Sequence, residues 1–388
     1  MAEFFNGRFL SYDKKKDGAL AVVVILLALF GVVAVYSASN YNAAADFGSP
    51  YYFAAKQALG VAIGLIAMFI TAHIDYHRYF KLALPLIVVG LVFLALVFVP
   101  GLSVEVYGAK RWIDLKLFTV QPSEMAKFFL VVFIAAYFAE KPERARGFLS
   151  LLPVLAVGGA TCLLIIIEPN MSVTVCVGAV TVVMIFAAGV KLKVLAAIGA
   201  PVVAAVPLLI IAEPYRLKRL SAFLDPWESP QGEGYQLLQS LYGLASGGLF
   251  GVGLFNSRQK FRFLPFSESD FILSVIGEEI GFFGTAILFA AMFFVIMRGF
   301  KAAFSARDYF GYLLAVGITS VYAVQVMINT LVVTGSIPPT GLPLPLVSAG
   351  NTSIIIFMAA FGVLINVSGG GSDDGLSLRK KPTLKTLD

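Results

Sequence analysis

Charge is scarce in this chain: 23 acidic and 29 basic residues among 388, or 13%, against about 25% in a soluble domain. With 59% hydrophobic residues beside it, that scarcity excludes an ordinary soluble enzyme and a disordered chain. Cysteine is nearly absent too. The two present, Cys162 and Cys176, exclude a disulfide scaffold, and both lie in apolar stretches where buried, inert thiols are expected. No internal repeat of fixed period appears, and no polar stretch is long enough for a soluble catalytic domain. The net charge of +6 is not a nucleic-acid patch, because in a chain this apolar a basic excess reports cytoplasmic loops. What remains is an all-α, polytopic membrane protein with no nucleic-acid partner.

A spanning helix needs about 20 mostly apolar residues. Ten stretches qualify: 18–37, 54–72, 82–100, 123–139, 149–167, 172–189, 192–212, 271–297, 309–334 and 344–366. Lys14, Lys15 and Lys16 before the first resemble the basic start of a signal peptide. The apolar run that follows outlasts a cleavable core of about 7–15 residues, so it reads as an uncleaved first helix. With the N-terminus in the cytoplasm, 18 of the 29 Lys and Arg residues fall on the inner side, as the positive-inside rule asks. Ten spans then put both termini in the cytoplasm. The expected organisation is a cytoplasmic N-terminus (1–17), a ten-helix membrane domain (18–367) and a disordered cytoplasmic tail (368–388) rich in Gly, Ser and Lys.

One connection is long, residues 213–270, on the outer face. Connections beyond about 12–15 residues are usually functional or disordered, and the aromatics of this one, Trp227, Tyr235, Tyr242 and Phe250, argue for order. Tyr235, Leu238, Tyr242 and Ala245 fall at helical spacing and predict a short helix at the outer interface. The Gly-rich run 246–253 sits outside any strand-to-helix unit, which favours a turn over a phosphate cradle.

Ionisable residues in or beside spans are functional hypotheses by default, and three groups stand at the outer face. In the first, Gly108-Ala109-Lys110-Arg111-Trp112-Ile113 precedes Gln121-Pro122-Ser123-Glu124 and Lys127. Pro122 is placed to open a helix, and Glu124 and Lys127 share one helix face, which an internal ion pair would also explain. Arg111 beside Trp112 suits an anionic lipid headgroup. The second group is Arg258-Gln259-Lys260-Phe261-Arg262 followed by Asp270 at the mouth of a helix. A basic strip beside a lone acid suits a phosphate-bearing substrate that reacts near the carboxylate, while Asp270 is also well placed as a simple N-cap. The third is Glu278-Glu279 between two glycines, inside the eighth stretch. Two adjacent carboxylates there read as balancing cations, holding a metal or accepting hydrogen bonds, with structural pairing favoured. Asn329 and the Pro- and Ser-rich run 338–353 complete a kinked entry to the last helix.

These blocks resemble the SEDS family (shape, elongation, division and sporulation proteins). The residues that carry the resemblance are Gly-Ala-x-Arg-Trp-Ile, Gln121-Pro122-Ser123-Glu124, Phe223-Leu224-Asp225-Pro226-Trp227, Gly253-x-x-x-Ser257-x-Gln259-Lys260, and Asp270-Phe271-Ile272 running into Gly277-Glu278-Glu279. The wording is closer to the FtsW/SpoVE branch than to RodA. It departs from the family pattern at Glu168-Pro169-Asn170, at 266–269 and at 348–353.

The resemblance implies a peptidoglycan glycosyltransferase of the bacterial cytoplasmic (inner) membrane that polymerises lipid II at the outer face. It implies a class B penicillin-binding protein as partner, within the divisome or elongasome, and no organic cofactor. Asp270 matches the family's essential aspartate and is expected to be the catalytic base. Arg111, Trp112, Glu124, Lys127, Arg258, Gln259 and Lys260 are expected around the substrate, with Arg111, Arg258 and Lys260 on its phosphates. A divalent cation, Mg²⁺, is expected to share the pyrophosphate, but no ligand set is readable. Two other classes fit the same residues: a lipid II flippase, and a noncatalytic membrane scaffold for the penicillin-binding protein.

Overall fold

The computed structural model describes residues 16–106, 109–114, 119–200, 214–232 and 234–370. The expectations for the N-terminus before residue 16 and the tail beyond 370 lie outside these residues. Nothing is described of the Lys110 side chain. The helices are α1 (Gly18–Phe47), α2 (Tyr52–His73), α3 (His77–Leu96), α4 (Pro122–Glu140), α5 (Phe148–Ile167) and α6 (Met171–Ala187). They continue with α7 (Pro214–Leu224), α8 (Tyr235–Gly247), α9 (Ile272–Ser305), α10 (Tyr309–Val333) and α11 (Asn351–Ser368). Between α3 and α4 lies a small antiparallel sheet of β1 (Ser103–Val106), β2 (Ala109–Asp114) and β3 (Thr119–Val120) in that order.

Eight of these helices, α1 to α5 and α9 to α11, are long and apolar enough to cross a membrane. The sixth stretch, α6, is shorter at 17 residues. The seventh is helical over 192–200, and its remainder lies outside the described residues. The chain is therefore an all-α, multi-pass membrane protein. Helices α4 and α10 form its centre and are buried along most of their length, whereas α2, α3, α5 and α9 turn Leu59, Ile66, Phe69, Leu84, Leu149, Phe282 and Ile287 outward. An apolar exterior of this extent is a lipid-facing surface.

Two helices outrun the sequence expectation, and one starts late. Helix α1 has 30 residues and α9 has 34, so at about 1.5 Å per residue both exceed the roughly 30 Å hydrocarbon thickness. At one end of the bundle Asp17 caps α1 by accepting from Leu20 N–H at 3.0 Å. It also binds Arg298 of α9 at 2.6 Å, tying α1 to α9. The opposite end carries the sheet, α7 and α8, and is called the loop end below. There the last stretch becomes helical only at Asn351. Residues 344–350 stay irregular because Gln57 of α2 donates to the Ser348 carbonyl at 3.0 Å and accepts from Gly350 N–H at 3.2 Å. The Ser348 hydroxyl in turn accepts from Leu344 N–H at 2.8 Å.

Helix α9 is interrupted at Gly281, which has φ 66° and ψ −168°, a region open essentially to glycine alone. The Gly-rich run of the long connection fills the interruption. Val252 and Gly253 N–H donate to the freed carbonyls of Glu278 and Glu279, each at 3.0 Å. Phe282 and Phe283 N–H donate to the carbonyls of Gly248 and Leu249 at 2.9 and 3.1 Å. Four orphaned backbone groups are thus satisfied by a second segment, the condition under which a broken helix is tolerated in a membrane protein. The contact is backbone on backbone: a Cβ on Gly281 would overlap Gly251 N, and one on Gly251 would overlap the Glu279 carbonyl. The run does turn the chain, as its composition predicts, and it also completes a helix.

Helix α8 forms where its spacing predicts, but with another face inward. Leu237, Leu238, Ser240, Gly243 and Gly247 are buried, while Tyr242 and Ala245 of the predicted stripe are exposed. Tyr242 instead meets the exposed Trp227 edge-on, with ring centroids 6.0 Å apart.

Candidate active site

Asp270 lies at the loop end on a segment held at Ser267 by its side chain and at residues 268–270 by their carbonyls. Ser267 Oγ donates to the Ala38 carbonyl of α1 at 3.1 Å. The Glu268 carbonyl accepts from Ala349 N–H at 2.9 Å, the Ser269 carbonyl from Ser348 Oγ at 2.7 Å, and the Asp270 carbonyl from Asn329 Nδ2 of α10 at 2.8 Å. The expected N-cap does not form. Phe271 occupies the boundary of α9 with φ −113° and ψ 19°, and no side chain caps the helix. The carboxylate turns instead toward the 339–341 loop, where a Cβ on Gly341 would stand 3.2 Å from Asp270 Oδ2. Among the described residues none donates a hydrogen bond to the Asp270 side chain. Burial pushes this carboxyl up to about 6; Arg111 and Arg219 pull it down, and the nearby Glu268 pushes it up. At pH 7 it is still about nine-tenths ionised.

Arg111 comes from β2 by way of a bulge. Trp112 pairs with Val104 and Lys110 with Glu105, so Arg111 is the extra residue, and a bulge of this kind re-aims a side chain. Its Nε donates to the Glu168 carbonyl at 3.2 Å and its Nη2 to the Pro169 carbonyl. Arg219, on α7, donates from Nη1 to the Pro339 carbonyl at 3.1 Å. Both guanidinium groups act electrostatically on Asp270. Glu168, just past the end of α5, is 1% exposed, and neither carboxylate oxygen has a hydrogen-bond partner among the described residues. Burial pushes it up to about 8 against the pull of Arg111, so it holds its proton at neutral pH.

Glu124 and Lys127 form a buried ion pair at 2.8 Å, as their spacing allows. Pro122 opens α4 as predicted. Lys127 Nζ also donates to Gln325 Oε1 of α10 at 2.7 Å, and Glu124 Oε2 accepts from Ser353 Oγ of α11 at 2.8 Å. Gln325 in turn holds the Pro343 carbonyl at 3.0 Å. This network joins α4, α10 and α11 to the 338–350 loop that abuts Asp270. Trp112 is half-buried on the sheet.

The strip 257–260 is docked on the carboxylate pair of α9 through its backbone. Glu278 accepts from Ser257 Oγ, from Arg258 N–H at 3.1 Å and from Gln259 N–H at 3.3 Å. Glu279 accepts from Ser37 Oγ and from Ser257 N–H at 3.3 Å, and stands 3.8 Å from Lys260 Nζ. Lys260 is 2% exposed and also donates to the Phe255 carbonyl; burial pulls its ammonium below the usual lysine range, against Glu279 and Glu278. The Arg258 side chain is exposed, and Gln259 is buried. The carboxylate pair is therefore structural: it clamps the strip and the Gly-rich run to α9.

Sequence reasoning missed three residues here. Arg219 carries no motif of its own, and Glu168 and Glu268 stand out in the sequence only as parts of departures from the family pattern. Arg219 and Glu168 stand 51 and 102 residues from Asp270, so no local pattern joins them to it, whereas Glu268 is only two residues away. Among the described residues no three His, Cys, Asp or Glu side chains converge as a metal cage.

The chain is similar to several known proteins. The chain is 40% identical over 358 residues to a probable peptidoglycan glycosyltransferase FtsW of Trichlorobacter lovleyi, covering 91% of this chain and 93% of that protein. It is 39% identical over 354 residues to stage V sporulation protein E of Bacillus subtilis, covering 91% and 96%. Among solved structures it resembles a chain described under "Structural coordination of polymerization and crosslinking by a peptidoglycan synthase complex", with TM-score 0.76 and 28% identity over 92% of this chain and 99% of that one. It also resembles the rod shape determining protein RodA of Thermus thermophilus, with TM-score 0.68 and 26% identity over 91% and 96%. Residues 18–371 match the family described as "Cell cycle protein", the FtsW, RodA and SpoVE group. That run takes in every labelled helix, both arginines and Asp270, and the chain belongs to the FtsW/RodA/SpoVE family.

Proposed function

We propose that this protein is a peptidoglycan glycosyltransferase that polymerises lipid II at the outer face of the bacterial cytoplasmic membrane, with both termini inside. The observation that carries the reading is Asp270: a carboxylate on a segment held by its carbonyls, ionised at neutral pH, with two arginines acting on it and, among the described residues, no donor spent on it. Chain extension joins an acceptor sugar hydroxyl to the anomeric carbon of the donor. Asp270 takes the hydroxyl proton as the new carbon–oxygen bond forms. The bond from the anomeric carbon to the pyrophosphate oxygen breaks with inversion, and the electron pair leaves on polyprenyl pyrophosphate. Arg111, re-aimed by its bulge, stabilises the charge that grows there. Trp112 is its neighbour on the sheet, and Glu124 and Lys127 brace the loop behind Asp270. Mg²⁺ enters this proposal only as a counterion that the substrate's pyrophosphate carries in.

The transport alternative expects paired broken helices. Among the described residues α9 is the one interrupted helix, and its break is sealed by the long connection, so polymerisation is favoured. A class B penicillin-binding protein is the proposed partner, in division, sporulation or elongation; a resembling chain comes from a complex that coordinates polymerization and crosslinking. The test is polymer formation from lipid II by the purified protein. Asp270→Asn, eluting from gel filtration as the wild type does, should lose about 10²–10⁴-fold in rate. Polymerisation at the wild-type rate would overturn the assignment.

A further inference from the structure

The leaving group in this reaction is a pyrophosphate, which departs with about three negative charges. One guanidinium is half a clamp for such a group, and bidentate arginine is the side chain best matched to phosphate oxygens. The sequence offers Arg258 and Lys260 as the further cations, but Lys260 is sealed against Glu279 and the Phe255 carbonyl. The Arg258 N–H is bound to Glu278, and neither cation is among the charges that act on Asp270.

Arg219 is placed differently. It reaches the site from α7, an element separate from the sheet that carries Arg111. Its Nη1 holds the Pro339 carbonyl at 3.1 Å, and two residues on, Gly341 is the backbone that faces Asp270 Oδ2. The guanidinium is thus tethered to the same short loop that touches the catalytic carboxylate. It lines a small cleft between α7 and α8 with Phe223, Gln236 and Leu237. Each arginine is oriented by main-chain carbonyls, Arg111 by those of Glu168 and Pro169 and Arg219 by that of Pro339.

We propose that Arg219 is the second phosphate-binding residue of this site, forming with Arg111 a two-guanidinium clamp for the pyrophosphate of a polyprenyl-linked sugar. This deepens the glycosyltransferase reading and rests on it. As the anomeric carbon–oxygen bond breaks, the electron pair goes to the pyrophosphate oxygen held by the clamp, and the hydroxyl proton goes to Asp270. Arg219 makes no covalent bond; it holds the group that leaves.

The experiment compares full-length wild type with Arg219→Gln, Arg219→Lys and Lys218→Gln, in which the exposed neighbour on the same helix is changed. The probes are lipid II turnover and direct binding of undecaprenyl pyrophosphate and undecaprenyl monophosphate without turnover. Arg219→Gln should raise the Kd for the pyrophosphate and the KM for lipid II about 10- to 100-fold, and weaken the monophosphate less. Arg219→Lys should recover part of the loss and Lys218→Gln should lose nothing. Removing a cation from Asp270 should also move the acid limb of kcat/KM to higher pH. A folded Arg219→Gln with wild-type pyrophosphate affinity overturns the proposal. If Arg219→Gln does not fold, Arg219→Lys decides: it must bind the pyrophosphate several-fold more weakly, and wild-type affinity overturns the clamp. Because binding is read without turnover, these outcomes are separate from failure of Asp270 as the base, which Asp270→Asn reports.

Discussion

Lowering the pH from 7 to 5 should cut kcat/KM for lipid II polymerisation about tenfold. Burial pushes the Asp270 carboxyl up to about 6 against Arg111 and Arg219. A base must be ionised to take the hydroxyl proton, so activity is present above that value and lost as pH falls through it. With a pKa near 6 the ionised fraction is about 0.9 at pH 7, about 0.5 at pH 6 and about 0.1 at pH 5. A solvated aspartate near 3.9 would still be about 0.9 ionised at pH 5, so the two cases differ by close to tenfold in rate. The assay is polymer formed at subsaturating lipid II, where kcat/KM reports the free enzyme, with activity restored on return to pH 7 to exclude acid damage. Glu168, pushed up to about 8, titrates on the alkaline side and does not shape this limb. Glu268 is the carboxyl that pushes Asp270 up. Glu268→Gln should therefore move the limb to lower pH, and Arg111→Gln should move it higher. A limb centred near pH 4, or one that ignores both substitutions, would refute the reasoning.

Gly281→Ala should unseat the Gly-rich run from α9, because the new Cβ overlaps Gly251 N at a backbone conformation alanine avoids. A cost of about 3 kcal/mol or more is expected, read as a lower midpoint of thermal unfolding in detergent; an unchanged midpoint would count against the splice. Lys127→Met leaves Glu124 buried and without its cation, which should cost about 3–5 kcal/mol. The double variant with Glu124→Gln should regain much of that stability, and no recovery in the same unfolding assay would mean that the pair does not act as a unit.

Much of the architecture was legible because it follows from local pattern. Apolar runs marked the helices, and Pro122 marked the start of α4 within one residue of the expected span. Glu124 and Lys127 three residues apart implied their ion pair. The misjudged ends have identifiable causes. Helix α1 continues past its apolar run through Ser37-Ala38-Ser39-Asn40 to Phe47, because helical residues need not be apolar once the chain leaves the hydrocarbon. The opposite error, at 344–350, arose because Gln57 and Ser348 hold apolar residues in an irregular path. The small sheet went unread because its strands are two to six residues long and carry no sustained alternation.

The candidate site divides the same way. Asp270 and Arg111 were picked out by charge where charge is costly, and the structure brings both to one place. Lys260 and Arg258 had the same signal, yet their segment is bound to Glu278 and Glu279. Nothing local distinguishes the two fates. Whether a cation faces substrate or a buried carboxylate depends on which remote segment packs against it.

By itself the sequence determined the membrane class, most of the spans and the family, and it singled out Asp270 as a candidate. These are properties of composition, period and ordered motif, set by how each short stretch partitions between lipid and water. Only the tertiary structure decided that α9 is broken and completed by the long connection, and that Glu278 and Glu279 are clamps. It alone decided that Asp270 does not cap its helix and that Arg219, held to the Pro339 carbonyl, acts on its charge. Those outcomes belong to pairs of segments far apart in the chain, and the free energy of a buried polar group is set by the partner it meets.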